Sequence, residues 1–114
     1  MMNEALIYKI LPNETWTLAC EEGTFQGAAL DVTDGYIHFS TAGQVAETLA
    51  RHFAGQLNLV LVEVPVVAIS DALRWEISRG GALFPHLYAA LYTDCASKVW
   101  PITLGSDGVH VLPF

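Results

Sequence analysis

The chain has 114 residues, the size of one ordinary domain, and 53% of them are hydrophobic, enough to fill a core and too many for a disordered segment. Twelve acidic residues against five basic ones give a net charge of −7, which repels a phosphate backbone and excludes nucleic acid as the expected partner. An anionic ligand would have to meet one of the five cations, Lys9, Arg51, Arg74, Arg79 and Lys98, or backbone N–H groups.

Residues 5–11 alternate as a strand, with Leu6, Tyr8 and Ile10 on one face and Ile7, Lys9 and Leu11 on the other. Asn13 is placed to cap a short helix in which Trp16, Ala19 and Cys20 recur at helical spacing, with Trp16 as the core anchor and Gly23 as the stop. Residues 24–33 are small and polar without a clear period and read as a loop.

The stretch Asp34-Gly35-Tyr36-Ile37-His38-Phe39-Ser40 is a turn signal leading into a strand. Successive side chains of a strand point to opposite faces, so Tyr36, His38 and Ser40 share a polar face while Ile37 and Phe39 are buried. Thr41 and Gln44 have capping-box spacing, predicting a helix to about Phe53 with Val45, Leu49, His52 and Phe53 on the buried stripe.

The Leu and Val run over residues 57–64 suits a central strand covered on both faces, and Pro65 ends its ladder. Residues 73–77 form another strand with Arg74 and Glu76 on one face. After the flexible Arg79-Gly80-Gly81, Phe84-Pro85-His86-Leu87-Tyr88 reads as an irregular edge segment presenting His86 and Tyr88. Residues 98–104 and 109–114 form the last two strands, joined by an Asp107-Gly108 hairpin signal. The expected fold is a single α+β domain over residues 1–114, with two small, packed, mainly antiparallel sheets and two flanking helices.

Cys20 and Cys95 have no metal or redox spacing and read as free thiols. The short apolar start is not a signal peptide, and the longest apolar run, residues 57–68, is broken by Asn58, Glu63 and Pro65. A cytoplasmic location without a membrane partner is therefore expected.

Three polar strand faces could meet in one pocket: Tyr36/His38/Ser40, Arg74/Glu76 and His86/Tyr88. Each also has a plain structural reading, as a satisfied histidine, a cross-strand ion pair or a tyrosine at the rim of the core. His52 is read as structural and His110 as solvent-facing. There is no phosphate loop, zinc-helix motif or nucleophile elbow. His38, Glu76 and His86 are chemically able to bind a metal but lack diagnostic spacing, so no metal is expected.

Tyr8, Trp16, Gly35-Tyr36-Ile37-His38-Phe39-Ser40, Gln44, Trp75-Glu76, Phe84-Pro85-His86-Leu87-Tyr88 and Asp107-Gly108 together resemble the domain-of-unknown-function 952 family of small bacterial proteins. The likeness spans nearly the whole chain. It implies a fold similar to the ADP-ribosyltransferase group and, from that, NAD or another nucleotide or ribosyl ligand. In that pattern His38 anchors the ribose, Tyr36 or Tyr88 stacks, Glu76 supports charge at the anomeric carbon, and Arg74 or Arg51 meets the pyrophosphate. Lys9 is the polar residue of the first strand. His38, Glu76 and His86 are thus the candidate catalytic residues, with Tyr36, Ser40, Arg51, Arg74, Tyr88 and Lys9 as candidate ligand contacts. The competing reading is a non-catalytic module that binds a small ligand or a peptide tail through the same residues.

Overall fold

The computed structural model describes residues 5–114. Strand β1 (Leu6–Pro12) leads into helix α1 (Asn13–Glu22) and the short β2 (Thr24–Phe25), then into helix α2 (Ala29–Asp34) and strand β3 (Ile37–His38). Helix α3 (Val45–His52) precedes β4 (Leu59–Pro65), β5 (Leu73–Ile77), β6 (Leu83–Leu87), β7 (Leu91–Tyr92), β8 (Lys98–Leu104) and β9 (His110–Val111). The architecture is α+β with antiparallel sheets, but three sheets and three α-helices occur among the described residues, where two of each were expected.

The largest sheet has the order β1-β4-β8-β9. Its Leu/Val-rich centre is β4, which buries Leu59 and Leu61 on one side and Val60, Val62 and Val64 on the other. Pairing with β1 ends at Leu6 opposite Pro65, because a residue without an N–H cannot carry the ladder further. At the β8–β9 hairpin Gly108 takes φ 82°, a value open to glycine at little cost. The final strand is shorter than expected, stopping at Val111.

The second sheet runs β3-β6-β5. The Phe84–Tyr88 segment was expected at an edge, yet β6 is central. The carbonyl of Pro85 accepts from Phe39 N at 3.0 Å. N and O of one strand residue point the same way, so the missing proline donor faces β3, whose ladder is only two residues long. The third sheet is the pair β2-β7.

A single bridge joins the first two sheets: Tyr8 N donates to Ser40 O and Ser40 N to Tyr8 O, both at 2.8 Å. The joined surface curls so that Ile37, Phe39 and Leu87 pack into the same core as Ile7, Val60 and Val62. Trp16 and Ala19 seal this core from α1, while Val45 and Leu49 of α3 pack with Ile10, Leu61 and Ile102 on the other side of the large sheet.

The helix ends carry most of the local corrections. Pro12, not Asn13, occupies the N-cap position of α1, and Asn13 is the first helical residue. Cys20, expected on the apolar stripe, is exposed. The Gln44 half of the capping box forms, with Thr41 N donating to Gln44 Oε1 at 3.0 Å. His52 is exposed and not on the buried stripe of α3. His110 does not simply face solvent, since its Nε2 lies 2.8 Å from the carbonyl of Gln56. Residues 24–33 hold a strand and most of α2 instead of a loop.

Candidate functional site

The site grows out of α2. Gly35 ends that helix in the left-handed region at φ 88°, and its N–H returns to Asp31 O at 2.8 Å. The reversal sends Tyr36-Ile37-His38 back over the helix and sets His38 above Asp31. The Asp31 carboxylate, 3% exposed, then gathers donors from three directions. Its Oδ1 lies 2.6 Å from His38 Nδ1 and accepts from His38 N at 3.0 Å. Its Oδ2 accepts from Ala28 N at 2.8 Å and from the Lys9 ammonium at 3.0 Å.

Burial alone would raise the Asp31 pKa. The His38 hydrogen bond, the Lys9 charge and the two backbone N–H groups outweigh it and hold the carboxyl down to about 2. Burial lowers the Lys9 pKa more than Asp31 raises it. Asp34 Oδ2 lies 3.0 Å from the other ring nitrogen of His38, Nε2. Two carboxylates can both be satisfied only when both ring nitrogens carry hydrogen.

His86 lies directly across the ladder from His38, with ring centroids 5.5 Å apart. It is 2% exposed. Its Nδ1 is 2.7 Å from Glu76 Oε1, which also accepts from the Tyr88 hydroxyl at 2.7 Å. These two hydrogen bonds hold the Glu76 pKa below its ordinary value, and the bond to Glu76 raises that of Tyr88. Tyr36 stacks on the His86 ring at 4.1 Å with 25° between planes. Among the described residues no hydrogen bond reaches His86 Nε2.

A cavity of about 350 Å³ opens beside the Tyr8–Ser40 bridge, between β1, α2, α3 and β6. Its apolar wall includes Ile10, Leu11, Phe39, Phe53 and Phe84, and its polar wall includes Tyr8, Lys9, Asp31, His38, Ser40 and His86. Of the three polar strand faces, His38, Ser40 and His86 line this cavity, and Lys9 of β1 joins them. Glu76 reaches the cavity only through His86, while Tyr36 and Tyr88 belong to the aromatic cluster behind the two histidines. The two arginines lie elsewhere. Arg51 is on the exposed side of α3, paired with Glu47 at 3.1 Å, and Arg74 lies over the Tyr88 ring at 5.6 Å. Neither lines the cavity. No group of three potential metal ligands comes together among the described residues, and no helix there is long and apolar enough to cross a membrane.

The model of the DUF952 family, described as proteins of unknown function, matches residues 10–99. The chain belongs to the DUF952 family. It is also similar to CC0527 from Caulobacter crescentus, whose crystal structure is 46% identical, covers 94% of each chain and superposes with a TM-score of 0.90. The solution structure of the same Caulobacter protein matches with a TM-score of 0.84 at 46% identity, over 92% of this chain and 90% of that one. No match was found among curated proteins.

In this DUF952 chain, sequence reasoning missed Asp31, Asp34 and Glu63. Asp31 sat in a segment read as loop, although an acid in the first turn of a helix that ends at Gly35 is itself a signal. Glu63 was noted only as a break in an apolar run. It is buried beneath Tyr8 and accepts from the Tyr8 hydroxyl at 3.1 Å and from Ser97 Oγ at 2.7 Å. Burial, then this hydrogen bond and the nearby negative charge, push the Tyr8 phenol up to about 12.

Proposed function

We propose that the cavity beside Ser40 binds a small organic molecule and that His86, oriented by Glu76, exchanges a proton with it. The observation that carries this reading is that a buried imidazole at a cavity wall has an Nε2 with no hydrogen-bond partner among the described residues. A buried polar atom without a partner is uncommon and calls for a ligand or an ordered water. With Nδ1–H held by the Glu76 carboxylate, Nε2 presents a lone pair, the arrangement a general base requires. The His38–Asp31–Lys9 cluster next to it supplies a fixed charge distribution and keeps that wall rigid.

The ribosyl-transfer form of this reading, drawn from the family resemblance, fits less well. Lys9 is already matched by Asp31, and the arginines assigned to a pyrophosphate stand outside the cavity. Proton chemistry on a smaller molecule in a cytoplasmic setting is the reading we favour. A binding module without catalysis would use the same cavity and would differ only in releasing its ligand unchanged.

The test is a binding screen by NMR on isotope-labelled protein, with small alcohols, amines, sugars, NAD and ADP-ribose as probes. Binders should move the His86 and Ser40 signals, and His86→Gln should abolish binding while the urea midpoint stays within the range of a modest core change. If millimolar probes leave the cavity signals still, or bind His86→Gln equally well, the proposal is wrong.

A further inference from the structure

The polar wall of the cavity can be read proton by proton. Tyr8 gives its only hydroxyl hydrogen to Glu63 Oε2 at 3.1 Å. His86, a residue of the cavity wall, turns Nδ1 to Glu76 at 2.7 Å, and with the ring hydrogen held there its Nε2 is an acceptor. His38 has both nitrogens engaged by Asp31 and Asp34. Behind each of these three rings stands a carboxylate that draws the proton outward.

The hydroxyl pair obeys the same rule. Thr48 Oγ1 lies 3.1 Å from the carbonyl of Gln44, an acceptor only, so its single hydrogen must go there. The 3.0 Å contact between Ser40 Oγ and Thr48 Oγ1 must then use the hydrogen of Ser40. Ser40 is left with lone pairs alone. Against these acceptors stands Lys9, whose charge is balanced by Asp31 at 3.0 Å and whose three N–H bonds are partly taken up there.

We infer that the cavity selects a hydrogen-bond donor without negative charge, a small alcohol or amine on an apolar body, and rejects phosphates and carboxylates. Tyr8 Oη, Ser40 Oγ and His86 Nε2 together receive its donors, and the aromatic and aliphatic wall receives its body. An anion would place its oxygens against these three acceptors, and the Lys9 charge is already balanced by Asp31 at 3.0 Å, so buried groups would be left unpaired on both sides. The inference rests on the pocket reading above and narrows its ligand class. It also makes Ser40 a specificity residue, since its hydrogen is directed to Thr48 of α3, which lines the same cavity.

A matched probe series on one apolar body separates the two ideas: benzyl alcohol, benzylamine, benzyl methyl ether, phenylacetate and benzyl phosphate, titrated into the full chain and followed by NMR shifts of Tyr8, Ser40 and His86. The alcohol and the amine should bind, the ether about tenfold more weakly for want of a donor, and the two anions not at all. Ser40→Ala should weaken the alcohol about three- to tenfold and leave the ether unchanged. Should that variant misfold, Tyr8→Phe, which keeps Glu63 bonded to Ser97, serves the same purpose. An anion that binds as well as the alcohol, or an ether that equals it, overturns the donor inference and leaves the pocket. If none of the five moves a cavity signal, the pocket reading itself is overturned.

Discussion

Replacing Asp31 by Asn tests the core of the site. The amide keeps the shape and can still accept from Ala28 N or His38 N, but it removes the charge facing Lys9 at 3.0 Å. Lys9 is 8% exposed, so its ammonium would stay in the interior without a counter-charge. Removing one partner of a buried pair costs about 3–5 kcal/mol, a large share of the 5–15 kcal/mol that holds a domain together. With a urea slope of about 1–2 kcal/mol per molar, the midpoint of denaturation should fall by roughly 1.5–5 M. The double variant Lys9→Met with Asp31→Asn should recover much of the loss, because no unpaired charge remains. A fall worth less than about 1 kcal/mol, or a double variant as damaged as the sum of the two singles, would refute the view that the pair is buried and coupled.

The same carboxyl predicts the response to acid. Its folded pKa of about 2 lies below its ordinary value of 3.8, so it stabilises the fold by roughly 2–3 kcal/mol above pH 4 and loses most of that contribution as the pH falls toward 2. Urea midpoints of the wild type and of Asp31→Asn should therefore differ most at pH 6, and the gap should narrow by about 2 kcal/mol in stability as the pH falls to 2. A gap that persists undiminished would show that the pKa is not depressed. Gly35→Ala places a Cβ in open space but in the left-handed region at φ 88°, a backbone cost of about 1–2 kcal/mol. Its melting temperature should drop by roughly 4–10 °C, and Gly35→Asn should drop less; equal melting of all three proteins would contradict the left-handed cap.

Much of the site could be read in advance because strands announce their faces. The period of two placed Tyr36, His38, Arg74, Glu76, His86 and Tyr88 on one side of a sheet, and the register bears this out with His38 opposite His86 and His86 opposite Arg74. Which neighbour each would choose could not be read. Glu76 bonds to His86 and Tyr88, while Arg74 lies over the Tyr88 ring, because partner choice depends on side-chain reach across the completed sheet. The second helix was missed because six residues are too few to show a period, and its boundaries depend on Asp31 and Gly35 instead. The central place of β6 was hidden by Pro85, which is tolerated only because its neighbour β3 is so short.

The single bridge between Tyr8 and Ser40 has one further consequence. A long ladder fixes its own alignment, since a slip of one residue turns every side chain to the wrong face. One bridge carries almost none of that information, so alignment between the two sheets must come from elsewhere. The ion pair from Lys9 on β1 to Asp31 below β3 spans this joint. A slip by one residue would bring Tyr8 or Ile10 to Asp31 and leave the ammonium stranded. The pair thus acts as a locating pin between two surfaces that hardly share a backbone, a use for which buried charges are better suited than for adding stability.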